Sequence, residues 1–287
     1  MSRTAFVWGQ RTYIMGILNV TPHSFSGDGL GVGETAVSRA VAQAQQFIAD
    51  GADILDIGGE STRPGSQPIS ASEELARVIP VIRAVRQVTD APISIDTYRA
   101  VVAEAALAAG ADWVNDVWGL RMDPEMARLV AAARCPVVLM HNRSRPKDVA
   151  QEQALGGRYV GVEYDDLIAD VGRELVESIA IAHAAGVRDT QIILDPGIGF
   201  GKTVSQNLQL LNQLDQLKTM GYPILIGTSR KSFIGYTLDL PPDQRMAGTA
   251  ATVAIGIDRG ADIVRVHDVA AMTQVARMTD QLVRTVQ

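Results

Sequence analysis

Polar residues that could bind a ligand follow several short apolar runs of this sequence. Asp96, Asn115 and Asp195 each come at the end of such a run. Carboxylates and amides serve as metal ligands, as general acid–base pairs, or as hydrogen-bond partners of a polar heterocycle. Because a buried carboxylate is costly without a donor, a heterocycle with a guanidine-like edge would suit them. For Asp96, which precedes Thr97 and a helical stretch, capping of that helix is the alternative.

A second group of residues is basic and favours an anion. Lys231 and Ser232 lie in GTSRKSFIG at the expected start of a helix, where backbone N–H groups also attract an acidic group. Arg265 and His267 are two residues apart on one expected strand, so both side chains point to the same side. Such a pair favours a phosphate. A structural ion pair between Arg265 and a nearby acid is the alternative.

The glycine-rich segment DPGIGFGKT, Asp195–Thr203, resembles a nucleotide-binding motif but does not have its spacing. A phosphate-binding P-loop requires glycine five residues before Gly201, where this chain has Pro196. The dinucleotide spacing is absent as well. We expect a loop whose backbone approaches a flat ligand closely and presents Asp195 at a strand end. A flexible connecting loop without that role is the alternative.

Two longer segments, Asn19–Gly29 and Gly58–Ile69, are rich in glycine, proline and hydroxyl side chains. They predict mobile loops that close over a substrate. Four histidines without metal-ligand spacing argue against a zinc site. Among them, His141 ends an apolar run and is expected to face the pocket, whereas His183 lies in a helical stretch.

Short apolar runs alternate with helical patterns from one end of the chain to the other. The expected strands are Tyr13–Leu18, Ile54–Ile57, Ile93–Ile95, Trp113–Val114, Val137–Met140, Ile192–Leu194, Ile224–Ile226 and Ile263–Val266. The expected helices include Thr35–Ala49, Glu73–Val88, Tyr98–Ala109, Tyr164–Ala185 and Asn207–Met220. This alternation predicts parallel strands joined by crossover helices.

The polar residues lie at the carboxyl ends of all eight expected strands. The outer strands of an open sheet could not bring their ends to one point, whereas a closed barrel does. The sequence therefore predicts an α/β protein, a single (β/α)8 TIM-barrel domain over residues 1–287. Its active site is expected at the carboxyl ends of the strands.

Composition excludes several classes of protein. A net charge of −6 argues against nonspecific binding of nucleic acid, although a small anionic substrate remains compatible with it. Cys135 is the only cysteine, so neither an intrachain disulfide nor a cysteine metal cluster can form. Neither a secretory signal nor a membrane span is evident, and a cytoplasmic location is expected.

Eight segments together resemble the dihydropteroate synthases. They are MGILNVTPHSFSGDG, DIGGESTRPG, PISIDTY, WVNDV, VVLMH, DPGIGFGKT, GTSRKSFIG and IVRVHDV, in order from Met15 to Val269. The resemblance implies a transferase of folate biosynthesis on a β/α barrel. It would join p-aminobenzoate to 6-hydroxymethyl-7,8-dihydropterin diphosphate and release diphosphate, with Mg²⁺ as cofactor, and sulfonamides would compete. It also implies a homodimer.

The resemblance further implies a role for each matching residue. Four would hold the polar edge of the pterin: Asp96, Asn115, Asp195 and Lys231. Met140 and Phe200 would supply apolar contact. Four would form the p-aminobenzoate end: Thr62, Arg63, Pro64 and Ser232. The catalytic residues would be Asp96, Asp195, Lys231 and Arg265.

The same resemblance places the diphosphate and the metal ion. Arg265 would lie over the pterin and, with His267 and Asn19, hold the diphosphate. Asn19 would contact Mg²⁺ through its side-chain oxygen, a hard ligand. The first loop departs from the family pattern, because His23 replaces an aspartate and Asp28 comes one residue later than usual.

Two other functions share parts of this pattern. A methyltetrahydrofolate–corrinoid methyltransferase would share the acids and amides but would not need GESTRPG or SRKS. A noncatalytic pterin-binding paralogue, suggested by the altered first loop, would bind pterin without condensing it. Release of diphosphate from the pterin substrate distinguishes both from a synthase.

Overall fold

The computed structural model describes residues 6–21, 29–31, 33–62, 66–152, 154–160 and 162–284. The strands are β1 (Tyr13–Asn19), β2 (Ile54–Gly58), β3 (Ile93–Asp96), β4 (Trp113–Asp116), β5 (Val137–Met140), β6 (Val149–Glu152), β7 (Gly156–Tyr159), β8 (Ile192–Asp195), β9 (Leu225–Ile226) and β10 (Ile263–Val266). The helices are α1 (Glu34–Ala49), α2 (Ala71–Arg86), α3 (Ala100–Ala109), α4 (Met126–Ala133), α5 (Leu167–Ala184), α6 (Val204–Asn212), α7 (Leu214–Lys218), α8 (Ser232–Leu238), α9 (Met246–Asp258) and α10 (Val269–Val283).

The parallel strands form one sheet in the order β8-β5-β4-β3-β2-β1-β10-β9. A parallel bridge between Leu194 and Ile224 joins β8 to the residue before β9, so the two edges meet and the sheet is nearly closed into a barrel. Because the strands run parallel, all of their carboxyl ends lie at the same rim. The predicted (β/α)8 barrel in one domain is confirmed.

One predicted helix is divided in the structure, and one pair of strands was not predicted. The stretch Asn207–Met220 forms two helices, because the chain leaves the helical conformation at Gln213, where φ is −111° and ψ is 22°. An antiparallel hairpin of β6 and β7, in the connection between β5 and α5, was not predicted. Its sequences, VAQE and GGRY, lack the alternation of apolar residues by which strands are recognised.

The core has two layers that follow the two faces of the strands. The outer layer fills the space between strands and helices, with Leu55, Ile95, Leu139 and Leu194 among its members. The inner layer fills the amino end of the barrel: Tyr13, Met15, Ile54, Trp113, Val138, Ile193, Leu225 and Ile263, with Phe6 and Trp8 packed beneath. This layer forms the floor on which the polar rim rests.

The helices pack their apolar faces on the barrel, as their amphipathic patterns require. Within the described ranges, no helix combines the length and the apolar character that a membrane span needs.

Candidate active site at the carboxyl ends of the strands

The alternation of side chains along a strand determines which rim residues face the barrel interior. Trp113, Val138, Ile193 and Ile263 belong to the inner core. The predicted site residues lie two positions after these core residues and therefore on the same face of each strand. They are Asn115, Met140, Asp195 and Arg265. Asp96 follows Ile95 of the outer layer and therefore also faces inward. One mouth thus collects these residues from β3, β4, β5, β8 and β10.

Arg265 binds two carboxylates across this mouth. Its Nε donates to Asp56 Oδ2 at 2.6 Å, and its Nη2 donates to Asp96 Oδ2 at 2.7 Å. Asn115 Nδ2 also donates to Asp56 Oδ2, at 3.3 Å. Arg265 therefore forms a structural ion pair, and its role toward a phosphate stays a prediction. Asp96 does not cap a helix, since α3 begins only at Ala100 and Asp123 accepts the Ala100 N–H.

Asp56 was not predicted as a site residue, although it is fully buried at the centre of this arrangement. Like Asp96 and Asp195, it is an acid near the carboxyl end of a buried strand, so the same sequence pattern would have identified it. Its contacts with Arg265 and Asn115 satisfy its charge. Asp56 thereby fixes the orientation of both neighbours.

Burial moves the pKa values of the ionisable groups at the mouth toward neutral pH. Burial raises the pKa of Asp96 to about 7, with the charge of Asp56 adding to the shift and the charge of Arg265 opposing it. Burial also raises the pKa of Asp195, which Lys231 opposes. Burial lowers the pKa of Lys231 to about 8, and Asp195 opposes that shift. Shifts of this kind, from burial together with charged neighbours in a cleft, are typical of functional sites.

Lys231 crosses from its own loop to the loop after β8. Its Nζ donates to the Ile198 carbonyl oxygen and lies 4.6 Å from the centre of the Phe200 ring. Gly199, with φ +85°, permits this approach, because a Cβ there would lie 2.7 Å from Lys231 Cδ. Lys231 is the N-cap residue of α8 and its side chain reaches the barrel mouth, while its attraction of an acidic ligand stays a prediction. Ser232 begins that helix.

The remaining predicted residues lie around the rim or outside the described ranges. His267 follows β10, and its Nδ1 lies 3.0 Å from Ser229 Oγ, which also accepts the His267 N–H. Asn19 ends β1, and its carbonyl oxygen accepts the Leu30 N–H at 3.0 Å, so the first loop returns to this point. Thr62 lies in the loop after β2. The residues outside the described ranges are His23, Asp28, Arg63 and Pro64.

Arg99 fastens both ends of the loop after β2 to the start of α3. Its guanidinium donates to Glu60 Oε2 at 2.8 Å and to the Ile69 carbonyl oxygen at 2.7 Å. It also forms an ion pair with the fully buried Glu74. The Tyr98 hydroxyl donates to Glu60 Oε1 at 3.2 Å. The base of the loop that carries Thr62 is therefore fixed, and sequence reasoning missed this clamp.

The whole barrel, including this mouth, matches one known family. The model of the pterin binding enzymes matches residues 15–267. This chain belongs to that family. It is 50% identical over 277 residues to a dihydropteroate synthase of Clostridium beijerinckii, covering 96% of each chain.

Solved structures give the same result in three dimensions. A dihydropteroate synthase of Clostridium difficile, determined in the presence of pteroic acid, is 48% identical with a TM-score of 0.87, covering 98% of this chain and 100% of that one. A Yersinia pestis dihydropteroate synthase in a sulfonamide drug complex is 38% identical with a TM-score of 0.87, covering 98% of this chain and 97% of that one.

In this pterin-binding enzyme the segment DPGIGFGKT has no resemblance to a P-loop in three dimensions. The Lys202 ammonium turns inward and donates to the carbonyl oxygens of Gly197 and Phe200, so it cannot reach a phosphate. Thr203 is the N-cap of α6, with its hydroxyl accepting the Gln206 N–H and its own N–H donating to Gln206 Oε1. The segment is a loop anchor followed by a helix cap.

His141 does not face the pocket, contrary to the expectation from the sequence. The ring lies behind the rim, with Nδ1 2.9 Å from Lys202 Nζ and Nε2 3.1 Å from Glu174 Oε2 of α5. The physical reason is strand alternation: Met140 points inward, so the next residue points outward. His183 lies on α5 and pairs with Asp189 at 2.8 Å.

Proposed function

We propose that this enzyme joins p-aminobenzoate to 6-hydroxymethyl-7,8-dihydropterin diphosphate, giving 7,8-dihydropteroate and diphosphate in folate biosynthesis. The observation that carries the proposal is the convergence of Asp96, Asn115 and Asp195 with Lys231 and Arg265 at one buried mouth. A surface of this composition complements a pterin on one side and a diphosphate on the other. The 50% identity to a dihydropteroate synthase supports the same reaction.

The acids and amide are proposed to bind the polar edge of the pterin. Ionised carboxylates accept the parallel N–H groups of its guanidine-like edge, a charge-assisted arrangement. Lys231 supplies a donor on the same side, and Met140 and Phe200 contact the ring. Asp56 holds the Asn115 amide so that it does not have to reorganise when the ligand enters.

The chemistry needs stabilised charge rather than a side-chain nucleophile. The bond between the exocyclic carbon and the diphosphate oxygen breaks, and the electron pair leaves with the diphosphate. Asp96 and Asp195 favour the positive charge that develops on the dihydropterin. Arg265 and His267 favour the negative charge of the leaving group. The aniline nitrogen then forms the new C–N bond and loses a proton.

Arg265 is suited to this role because its position is fixed before substrate binds. Its contacts with Asp56 and Asp96 hold the guanidinium in one orientation. A preorganised charge stabilises a transition state with little reorganisation cost. Burial would lower its pKa, but the neighbouring carboxylates outweigh burial and the pKa of Arg265 is raised, so the charge is retained.

We propose that Asn19 contacts Mg²⁺ together with the substrate. The described residues contain no group of three or more His, Cys, Asp or Glu side chains able to hold a metal. A single amide oxygen at the rim therefore fits an ion whose other ligands are diphosphate and water, as is usual for Mg²⁺. When bound, the ion would neutralise the leaving diphosphate. Diphosphate binding that is independent of Mg²⁺ in calorimetry would contradict this.

The p-aminobenzoate end is proposed between the loop after β2 and the start of α8. Thr62 and Ser232 lie on these two segments, and Arg63 and Pro64 follow Thr62 in the chain. Competition by sulfonamides would occur here. A homodimer is proposed as the assembly, and the cytoplasmic location stays a prediction.

A coupled assay tests the function directly. Purified protein is mixed with dihydropterin diphosphate, p-aminobenzoate and Mg²⁺, and dihydropteroate and diphosphate are quantified. We expect equal amounts of both products. Binding of the pterin without condensation would identify a noncatalytic pterin-binding protein. Methyl transfer between methyltetrahydrofolate and a corrinoid would identify the methyltransferase instead.

A further inference from the structure

Lys202 is a lysine with 1% of its surface exposed, located behind the loop that joins β8 to α6. Its Nζ donates to the Gly197 carbonyl oxygen at 2.9 Å and to the Phe200 carbonyl oxygen at 3.0 Å, and lies 2.9 Å from His141 Nδ1. A lysine ammonium has three N–H donors, so these acceptors satisfy all of them. Such complete pairing leaves no N–H of the buried amino group without an acceptor.

The histidine partner is itself held in one state. Burial, aided by the Lys202 charge, lowers the pKa of His141 to about 3, so the ring stays neutral and Nδ1 accepts a hydrogen bond. Its Nε2 faces Glu174 Oε2 at 3.1 Å, and Glu174 Oε1 accepts from Arg143 Nε at 2.7 Å. Burial lowers the pKa of Lys202, and the charge of Asp195 opposes this. Lys202 is thereby tied through His141 to the carboxyl end of β5.

The loop held by Lys202 carries two predicted pterin contacts. The Gly197 N–H donates to Asp195 Oδ1 at 2.7 Å and so orients that carboxylate. Gly197 has φ +71°, and a Cβ there would overlap the His141 carbonyl oxygen, so the loop lies directly on the end of β5. From the opposite side, Lys231 donates to the Ile198 carbonyl oxygen. The loop is held between two lysines, one in the mouth and one behind it.

We propose that Lys202 is a positioning residue for the pterin subsite, which fixes the Asp195 carboxylate and the Phe200 ring by holding the carbonyl groups of the loop between them. The inference rests on the proposed function. Lys202 does not contact substrate, because the loop lies between its ammonium and the mouth. Its loss is expected to affect the pterin substrate and to leave p-aminobenzoate binding nearly unchanged.

The test is the substitution Lys202→Met, which keeps most of the side-chain volume and removes all three donors. We expect KM and the calorimetric Kd for dihydropterin diphosphate to rise about tenfold or more, since three hydrogen bonds that hold the loop are lost. KM for p-aminobenzoate should change less than about threefold. Lys202→Gln keeps two N–H donors and should show a smaller loss.

The control is Lys218→Met, which removes a lysine that pairs with the buried Asp262, outside the loop after β8. It should leave the ratio of the two KM values unchanged. If Lys202→Met does not fold, His141→Leu decides, because it removes one of the three acceptors and should still raise the pterin KM several-fold. Equal changes in both KM values, or none, would overturn the inference. Failure of the wild-type protein to form dihydropteroate would instead overturn the proposed function.

Discussion

Arg265 contacts Asp56 at 2.6 Å and Asp96 at 2.7 Å, so one guanidinium balances two buried carboxylates. The planar guanidinium reaches the two acids from different nitrogens, a fixed fork of donors that lysine lacks. Removal of Arg265 is therefore expected to affect more than the binding of a leaving group. It also leaves two buried acids without their cation, which is among the more costly changes in a protein.

For Arg265→Ala we expect kcat/KM for dihydropterin diphosphate to fall at least about tenfold, since a charged contact contributes ~1.5–3 kcal/mol. Arg265→Lys should lie between the wild type and Arg265→Ala, because it keeps the charge and loses one of the two acid contacts. Steady-state kinetics at saturating p-aminobenzoate measure the effect. Arg128→Ala, which removes an exposed pair with Glu125, is the control. Unchanged kinetics in Arg265→Ala would contradict the assignment.

The shifted acids and lysine predict a narrow pH optimum. The pKa of Asp96 is raised to about 7, so below that pH the group gains a proton and no longer accepts from the pterin. The pKa of Lys231 is lowered to about 8, so above that pH the group loses its charge. We expect a bell-shaped profile of kcat/KM for the pterin substrate between these limbs. In Lys231→Arg the alkaline limb should move to higher pH; a limb that stays in place would rule out Lys231 as its origin.

The inward residues were predictable from the sequence because each lies at or next to the carboxyl end of a strand and strands alternate with period two. Asn115, Met140, Asp195 and Arg265 follow this rule from inner-core residues. The contact of Arg265 with Asp56 and the orientation of His141 were not predicted. The Arg265–Asp56 pair joins residues 209 apart in the chain, which no local pattern contains. The orientation of His141 was available from the same alternation, since it cannot share a face with Met140.

Loops, at the scale of structural elements, differ in how far the sequence determines them. The glycines of DPGIGFGKT predicted a close backbone approach to a flat ligand, which stays a prediction. In the structure a Cβ at Gly197 would overlap the His141 carbonyl oxygen, and a Cβ at Gly199 would lie 2.7 Å from Lys231 Cδ. The clamp on the loop after β2 was not predictable in the same way. It depends on Arg99 reaching Glu60, 39 residues away, and on a buried Glu74 in α2. Only the folded barrel brings these side chains together.

That clamp predicts an effect specific to one substrate. Glu60→Gln removes the ionic contact with Arg99 but leaves the buried Arg99–Glu74 pair intact. We expect KM for p-aminobenzoate to rise roughly threefold to tenfold, because a charged hydrogen bond at the base of the Thr62 loop is weakened. KM for the pterin substrate should change little. Glu125→Gln, at an exposed ion pair on the surface, is the control. A change confined to the pterin KM would contradict this role.

The whole molecule has three parts: an apolar floor, a polar mouth and a ring of helices. Closure of the barrel was predictable because polar side chains followed all eight apolar runs, and only a closed sheet lets them converge. The floor closes the amino end of the barrel, so that water does not reach the mouth from that side. Phe6 packs edge-on against Trp113 with ring centres 5.1 Å apart and stacks on Trp8, which fills the amino end of the barrel.

The outer ring leaves an apolar surface on two neighbouring helices. On α9, Ala247, Ala251 and Ile255 are exposed at a spacing of four residues, which places them on one side of the helix. On α10, Met278 and Leu282 are 61% and 63% exposed, one turn apart. The two helices pack against each other. Adjacent exposed apolar stripes of this kind are typical of an interface between protein chains.

If the proposed homodimer uses this surface, a charge placed on each helix will separate the chains. For the double variant Ile255→Glu and Met278→Glu we expect sedimentation to shift from twice the mass of one chain to the mass of one chain, because a buried unpaired carboxylate is strongly unfavourable. Val176→Glu provides the matched control, since Val176 is 55% exposed on α5. It should leave the mass unchanged. A wild-type protein that sediments as one chain would exclude the dimer, and a dimeric double variant would place the interface on other helices.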